Sequence, residues 1–201
     1  MTKITKISFL FMLLTLNVIA QKKKKTAETK ATFSDYQDLK KKTDSLGINE
    51  LYYIDSTYNY KLIVPKWLKL IETKSDFAWG GTLPAVAKIE NAILIKSFQK
   101  SKFKSLKEFR EYIIEDLSFG QYPPWSKIHQ FVGKNELEDF KQIGKSYRVF
   151  MRNNNLIYHC CYVFCETKTA YLWIDFTATP ETYEKNFGKF KEFIAGLEPI
   201  H

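Results

Sequence analysis

The sequence predicts an α+β domain, an antiparallel β-sheet with helices packed on its faces. Three observations predict it. Residues 145–179 read as three β-rich runs, "KSYRVFMR", "LIYHCCYVFC" and "AYLWIDFTAT", separated by the short polar breaks "NNN" and "ETKT"; that is the pattern of a meander. Two other stretches, "SLKEFREYIIEDL" and "PETYEKNFGKFKEFIAG", repeat apolar residues at three- and four-residue intervals, which places them on one face of a helix. Aromatics make up 16% of the 201 residues, against only 8 Gly and 6 Pro, a composition suited to a packed, strand-rich core rather than to disorder.

The chain opens with "MTKITKISFLFMLLTLNVIA", in which Lys3 and Lys6 precede an apolar run from Ile7 to Leu16. That is the plan of a secretory signal peptide, with cleavage expected between Ala20 and Gln21. The run is shorter than the ~20 residues a bilayer-spanning helix needs. An uncleaved anchor with a cytoplasmic body is the rival, because Lys22, Lys23, Lys24 and Lys25 follow at once and positive charge prefers the cytoplasmic side. Residues 21–47 read as a flexible basic tail, with a possible short helix from Ser34 that Gly47 would end. Residues 48–201 read as one domain.

Within that domain "LYYIDSTYNYKLIVP" is two strands around a turn at 55–57, closed by Pro65. "WLKLIET" and "DFAWGG" are further strand pieces, "GGTLPAVAKIE" is a loop, and "NAILIKSF" is a strand. Ser105 and Glu108 have the spacing of a capping box. Leu106, Phe109, Ile113 and Leu117 then form the apolar stripe of the first helix. "GQYPPWSK" is a loop, because Pro123-Pro124 suits neither a central strand nor a helix interior. "KIHQFVGK" and "EDFKQIG" are weaker strand candidates. In the last helix Thr179 is the N-cap, Pro180 the first position, Tyr183, Phe187, Phe190 and Ile194 the buried stripe, and Gly196 the stop.

The three cysteines, Cys160, Cys161 and Cys165, share one predicted strand with His159. Alternation puts His159, Cys161 and Cys165 on one face and Cys160 on the other. Cys161 and Cys165 are then ~13 Å apart, too far for one metal ion or one disulfide. The expected role is that of small apolar residues in a strand buried on both sides, with His159 near the strand end beside a hydrogen-bond partner or water. The alternatives are a metal held by His159, Cys161 and a distant ligand such as His129, or a redox or intermolecular thiol, since three is an odd number for an exported chain.

No catalytic motif of nucleophile, zinc-hydrolase or phosphate-loop type is present. The stretch most like a site is "FAWGGTLPAVAKIEN". Trp79 beside Gly80 and Gly81, followed by Thr82 and Pro84, pairs a flat aromatic face with open backbone, which suits a ligand or peptide. Tyr122 and Trp125 flank the double proline and form a second aromatic loop. The two loops make one recognition surface if they meet at one end of the sheet. The plainer reading is a glycine turn with Trp79 tucked into the core. The formal charge is +9, and the Lys22–Lys25 run suits contact with an anionic surface. No cofactor, no metal and no nucleic-acid partner is expected.

The residues "YNYKLIVPKW" (Tyr60, Pro65, Trp67), "SLKEF" (Ser105 to Phe109) and "YLWIDFTATPETYEKNFGKFKEFIAGLEPI", in that order, resemble the PsbP-like superfamily, which includes PsbP of photosystem II and bacterial exported DcrB-like proteins. The resemblance spans about residues 50–200. It implies an α/β/α sandwich around an antiparallel sheet, and it implies no catalytic residue and no metal ligand. The expectation is a non-enzymatic, exported accessory or binding module of the cell envelope, in the periplasm or outside the cell. An envelope-acting hydrolase using paired carboxylates, and a chaperone or inhibitor that binds client peptide at a sheet edge, are the alternatives.

Overall fold

The computed structural model describes residues 51–73, 78–117, 129–137, 140–153 and 155–201. The expected leader and basic tail, the loop bearing Tyr122 and Trp125, and part of the "EDFKQIG" candidate lie outside these residues.

The chain forms β1 (Leu51–Asp55), β2 (Tyr60–Val64), β3 (Lys69–Leu70), β4 (Ala78–Thr82) and β5 (Ala92–Gln99). Helix α1 (Leu106–Glu111) continues into a π-helical turn, Tyr112–Leu117. Then come β6 (His129–Leu137), β7 (Lys145–Asn153), β8 (Leu156–Glu166), β9 (Ala170–Ala178), α2 (Pro180–Ala195) and β10 (Leu197–Pro199). Strands 3-4-5-9-8-7-6 make a seven-stranded sheet, antiparallel at every pairing. A small antiparallel sheet, β1-β2-β10, stands apart from it.

Each face of the large sheet has its own apolar cluster. On one face Ile93, Ile95, Cys161, Val163, Cys165, Ile174 and Phe176 meet Tyr183, Phe190, Phe193 and Ile194 of α2, and Tyr60, Leu62 and Val64 of the small sheet. On the other, Val149, Cys160, Tyr162, Phe164, Tyr171 and Trp173 meet Phe109, Ile113 and Ile114 of α1. β8 and β9 are therefore apolar at nearly every position because both their faces are covered. This is the layered α+β sandwich the residues predict.

Several elements form for the expected reasons. The Ser105 hydroxyl accepts from the Glu108 N–H at 3.1 Å, the forward half of a capping box. Thr179 precedes α2 in extended conformation with Pro180 at the helix start. Other elements differ. The expected helix over 105–117 is α only to Glu111, and the wider π turn brings Ile113 and Ile114 together into the core. Gly196 ends α2 at φ −84°, not in a left-handed cap. Its role is close approach, since a Cβ there would lie 2.9 Å from the Ile63 carbonyl oxygen. Phe140–Ile143 form a turn, not a strand; the Ile143 and Gly144 N–H groups both donate to the Phe140 carbonyl.

The small sheet is tied to the large one by its turns. The Thr167 hydroxyl, buried in the β8–β9 turn, donates to the Tyr58 carbonyl at 2.6 Å and accepts from the Ala170 N–H at 3.0 Å. Thr169 Oγ1 donates to the Thr57 carbonyl and accepts from Asn59 Nδ2. Thr167→Val keeps the shape and leaves the Tyr58 carbonyl and Ala170 N–H without the hydroxyl. The expected loss is about 1–3 kcal/mol, read as a lower urea midpoint; an unchanged midpoint would show that water replaces the hydroxyl.

Candidate functional site

Trp79 lies in β4, in keeping with the strand reading of "DFAWGG", and β4 is the second strand from one edge of the large sheet. Its half-buried ring stacks on Tyr53 of β1 at 4.5 Å between centroids. Tyr53 in turn donates to Asp55 Oδ2 at 3.3 Å and packs on Tyr60 at 5.7 Å. The aromatic pair thus bridges the rim between the two sheets.

Gly80 and Gly81 are strand residues too, as in the "DFAWGG" strand piece; the correction is that the "GGTLPAVAKIE" loop begins only after Thr82. A Cβ on Gly80 would lie 2.0 Å from the Ile93 carbonyl oxygen, and one on Gly81 2.5 Å from that of Lys69. Both glycines serve the close approach of neighbouring strands. Pleat alternation separates the predicted set further. Trp79 and Gly81 pair with Ile95 and Ile93 on the face toward the small sheet, whereas Gly80 and Thr82 pair with Leu94 and Ala92 on the α1 side. Thr82 is buried, and Pro84 is exposed just beyond it. The loop proper runs over 83–91 and is pinned by the Leu83 N–H donating to the Asn91 carbonyl, with a reverse turn closed between Val86 and Ile89. Tyr122 and Trp125 lie outside the described residues.

A second constellation was invisible in the sequence. Lys96 and Asp175 form an ion pair at 2.9 Å with both side chains 2% exposed. The Lys96 ammonium also sits 3.7 Å from the centroid of the Trp173 ring, a desolvated cation–π contact. Asp175 uses its other oxygen, Oδ1, to accept from the Thr177 hydroxyl at 2.9 Å, and Thr177 Oγ1 lies 3.5 Å from Cys160 Sγ. The chain Lys96–Asp175–Thr177–Cys160 crosses three adjacent strands on the α1 face. Lys96 reads as an interruption of an apolar strand; the only signal was two charges, Lys96 and Asp175, inside otherwise apolar runs.

The three cysteines are buried thiols outside any disulfide. Cys161 and Cys165 belong to the α2 cluster and Cys160 to the α1 cluster, so they divide between the faces as alternation predicts. Burial pushes the Cys165 thiol up to about 12, and burial followed by the nearby Asp175 charge pushes Cys160 higher still. Both are neutral thiols at physiological pH, poor nucleophiles and poor metal ligands. Among the described residues no three His, Cys, Asp or Glu side chains gather into a metal-binding group.

His159 is the fourth residue of β8, half-buried. Its ring sits edge-on to Phe150 at 4.8 Å and to Tyr183 of α2 at 5.7 Å. Beside them Arg148 bonds to Glu184 at 2.7 Å and lies 4.7 Å over the Tyr183 ring. Burial and then the Arg148 charge hold the imidazole below its ordinary value, against the opposing pull of Glu184 and Glu181. A histidine with a depressed folded pKa contributes stability that is present above the unfolded value of about 6.5 and is lost as pH falls through the folded value. Acidification from neutral to about pH 5 should therefore lower the melting temperature of the protein more than that of His159→Gln. Equal slopes would show that His159 titrates freely.

Among the described residues the buried carboxylates are Asp55 and Asp175. Asp55 points from the small sheet toward the α2-bearing face and accepts from the Thr57 and Tyr58 N–H groups at 2.9 Å each. Asp175 lies on the opposite face of the large sheet. They do not confront one another across a pocket, as paired acid–base catalysis would need.

The solved structure of cyanobacterial PsbP from Synechocystis superposes with a TM-score of 0.53 over 75% of this chain and 92% of that one, at 8% identity. The fold is PsbP-like. At that identity the likeness concerns architecture alone. Weaker superpositions, with TM-scores of 0.45 and 0.43, occur with a Pseudomonas aeruginosa protein of unknown function (14% identity, 76% of this chain, 99% of that one) and with LpqN of Mycobacterium tuberculosis, described as involved in cell envelope biogenesis (12% identity, 85% and 98%). No family model and no curated protein matches the sequence. The PsbP-like likeness covers the α+β sandwich, and the Lys96–Asp175 centre is read from this chain itself.

Proposed function

We propose that the protein is an exported, non-enzymatic accessory or binding module of the cell envelope, and that it engages a partner at the rim where Trp79 stacks on Tyr53. The observation that carries this reading is the disposition of the reactive groups. Lys96, Asp175 and the Cys160 and Cys165 thiols are locked inside the core, paired or neutral, while two large aromatic faces remain half-exposed between the sheets. Stacked aromatics on a rigid scaffold are suited to recognition. Export rests on the basic-then-apolar pattern of residues 1–20. Among the described residues no helix is long and apolar enough to cross a membrane.

Client-peptide addition at a sheet edge is the weaker form of this reading. At the edge beside β4 the strand is β3, which is two residues long, and a very short edge strand is a poor template for an added one.

The test is made in the native host. The mature chain should be recovered from the envelope or medium beginning at Gln21, cross-linked to a partner that Trp79→Leu loses while its circular dichroism stays unchanged. A cytoplasmic protein retaining Met1 or Thr2 would defeat the export reading. A partner retained by folded Trp79→Leu would defeat the site.

A further inference from the structure

α2 packs on the sheet through an apolar stripe, and polar side chains interrupt it. Asn186 stands in mid-helix and is 1% exposed, one turn beyond Thr182, which is fully buried. Asparagine suits neither a helix interior nor a core, because its amide carries two donors and an acceptor that all need partners. Asn91, 2% exposed, closes the 83–91 loop and faces α2, where its Oδ1 accepts from the Thr182 hydroxyl at 3.0 Å. Residues four apart on a helix are neighbours, about 5–6 Å between Cβ atoms. Thr182 therefore brings the Asn91 and Asn186 amides to one place between α2 and the loop.

Both amide nitrogens are buried there, and among the described residues neither has a hydrogen-bond partner. The Thr182 hydroxyl serves neither of them. Its one hydrogen is shared between Asn91 Oδ1 and the Thr179 carbonyl, and Thr179 Oγ1 lies 3.0 Å away. Exchanging the oxygen and nitrogen of Asn91 only inverts the problem, since the nitrogen then meets Thr182 and the oxygen is stranded. A buried donor without an acceptor loses its hydration and gains nothing in return. The groups that meet at this point, two amides and a hydroxyl, are uncharged, so the site fits a small neutral acceptor rather than an anion.

We propose that Asn91, Thr182 and Asn186 hold one internal water, which accepts from both amide nitrogens and fastens the 83–91 loop to α2. Two bonds fall within the two to four that buried waters make, and a bridging water bonds nearly as well as a direct contact. The fastening acts against backbone strain. Ala87 and Lys88 have φ of 50° and 66° in the reverse turn between Val86 and Ile89, a left-handed conformation that a Cβ disfavours. Asn91 holds the loop through its backbone as well, by the Leu83 N–H bond to its carbonyl at 2.9 Å. The site is separate from the Trp79 rim, and the proposal does not depend on that reading.

The test uses isotope-labelled chain from Gln21 onward, which contains every element described here. The side-chain NH₂ protons of Asn91 and Asn186 should both show rotating-frame Overhauser contacts to a long-lived water, whose sign separates them from proton exchange. Asn186→Leu removes one donor and should abolish the contact at Asn91. Asn91→Ala and Asn186→Ala should also be non-additive in urea unfolding, with a coupling of about threefold or more in the unfolding constant, although no bond joins the two side chains. Parent protein without a water contact at either amide would overturn the proposal. So would a contact between the two amides in its place, or single variants whose effects simply add.

Discussion

Asp175→Ala should lose about 3–5 kcal/mol of stability, because it strands a charge rather than merely removing a contact. Lys96 and Asp175 are each 2% exposed, their charged atoms 2.9 Å apart. With the carboxylate gone, the Lys96 ammonium keeps, among the described residues, the Trp173 ring at 3.7 Å, and the Thr177 hydroxyl loses its acceptor. A flexible lysine at a surface could swing into water; here the ammonium lies between central strands and beneath the α1 layer. The discriminating companion is Lys96→Met with Asp175→Leu. Removing both charges together removes the desolvation cost of each, so the double variant should recover most of the loss and can equal or exceed the parent. Urea denaturation at neutral pH measures all three. A single variant within about 1 kcal/mol of the parent would show that water already reaches the pair.

Gly80→Ala is expected to be as damaging, at about 3 kcal/mol or more, for a purely steric reason. The added Cβ would lie 2.0 Å from the Ile93 carbonyl oxygen and 2.9 Å from the Leu94 Cα. Both contacts are backbone of the paired strand β5, so no rotamer change relieves them, and β4 must separate from β5. Gly133→Ala is the control, because nothing lies within 4 Å of its Cβ position, and it should change stability by less than about 0.5 kcal/mol. The experiment separates two roles for the glycine pair. If Gly80 served only to expose backbone to a ligand, Gly80→Ala would fold normally, with a melting temperature near that of the parent.

The meander over 145–178, the two helices and the division of the cysteines between two faces were legible because each rests on a local period: two residues per pleat in a strand, three to four per turn in a helix. Cys160 and Cys161 had to face opposite ways once "LIYHCCYVFC" was read as extended. The tandem glycines were misread for an equally local reason. Gly-Gly in sequence signals a turn, and the alternative cause, a neighbouring strand that leaves no room for a Cβ, lies in Ile93 and Lys69, remote from the glycines that answer to them. The candidate site suffered in the same way. Trp79 to Thr82 are contiguous in sequence, yet the pleat sends them to two faces, and the partner that gives Trp79 its stacked geometry is Tyr53, in a different sheet.

By itself, then, the sequence determined the meander, the place of the two helices, the two-sided burial of the cysteine strand and the layered α+β class, all of which follow from side-chain periodicity along the chain. Only the tertiary structure decided two other things: that β10 closes a separate small sheet with β1 and β2, and that Lys96 meets Asp175, 79 residues away. The physical reason is common to both. Each depends on which strands become neighbours and in what register, and that is settled by the summed burial of two whole sheet faces rather than by any local pattern of residues.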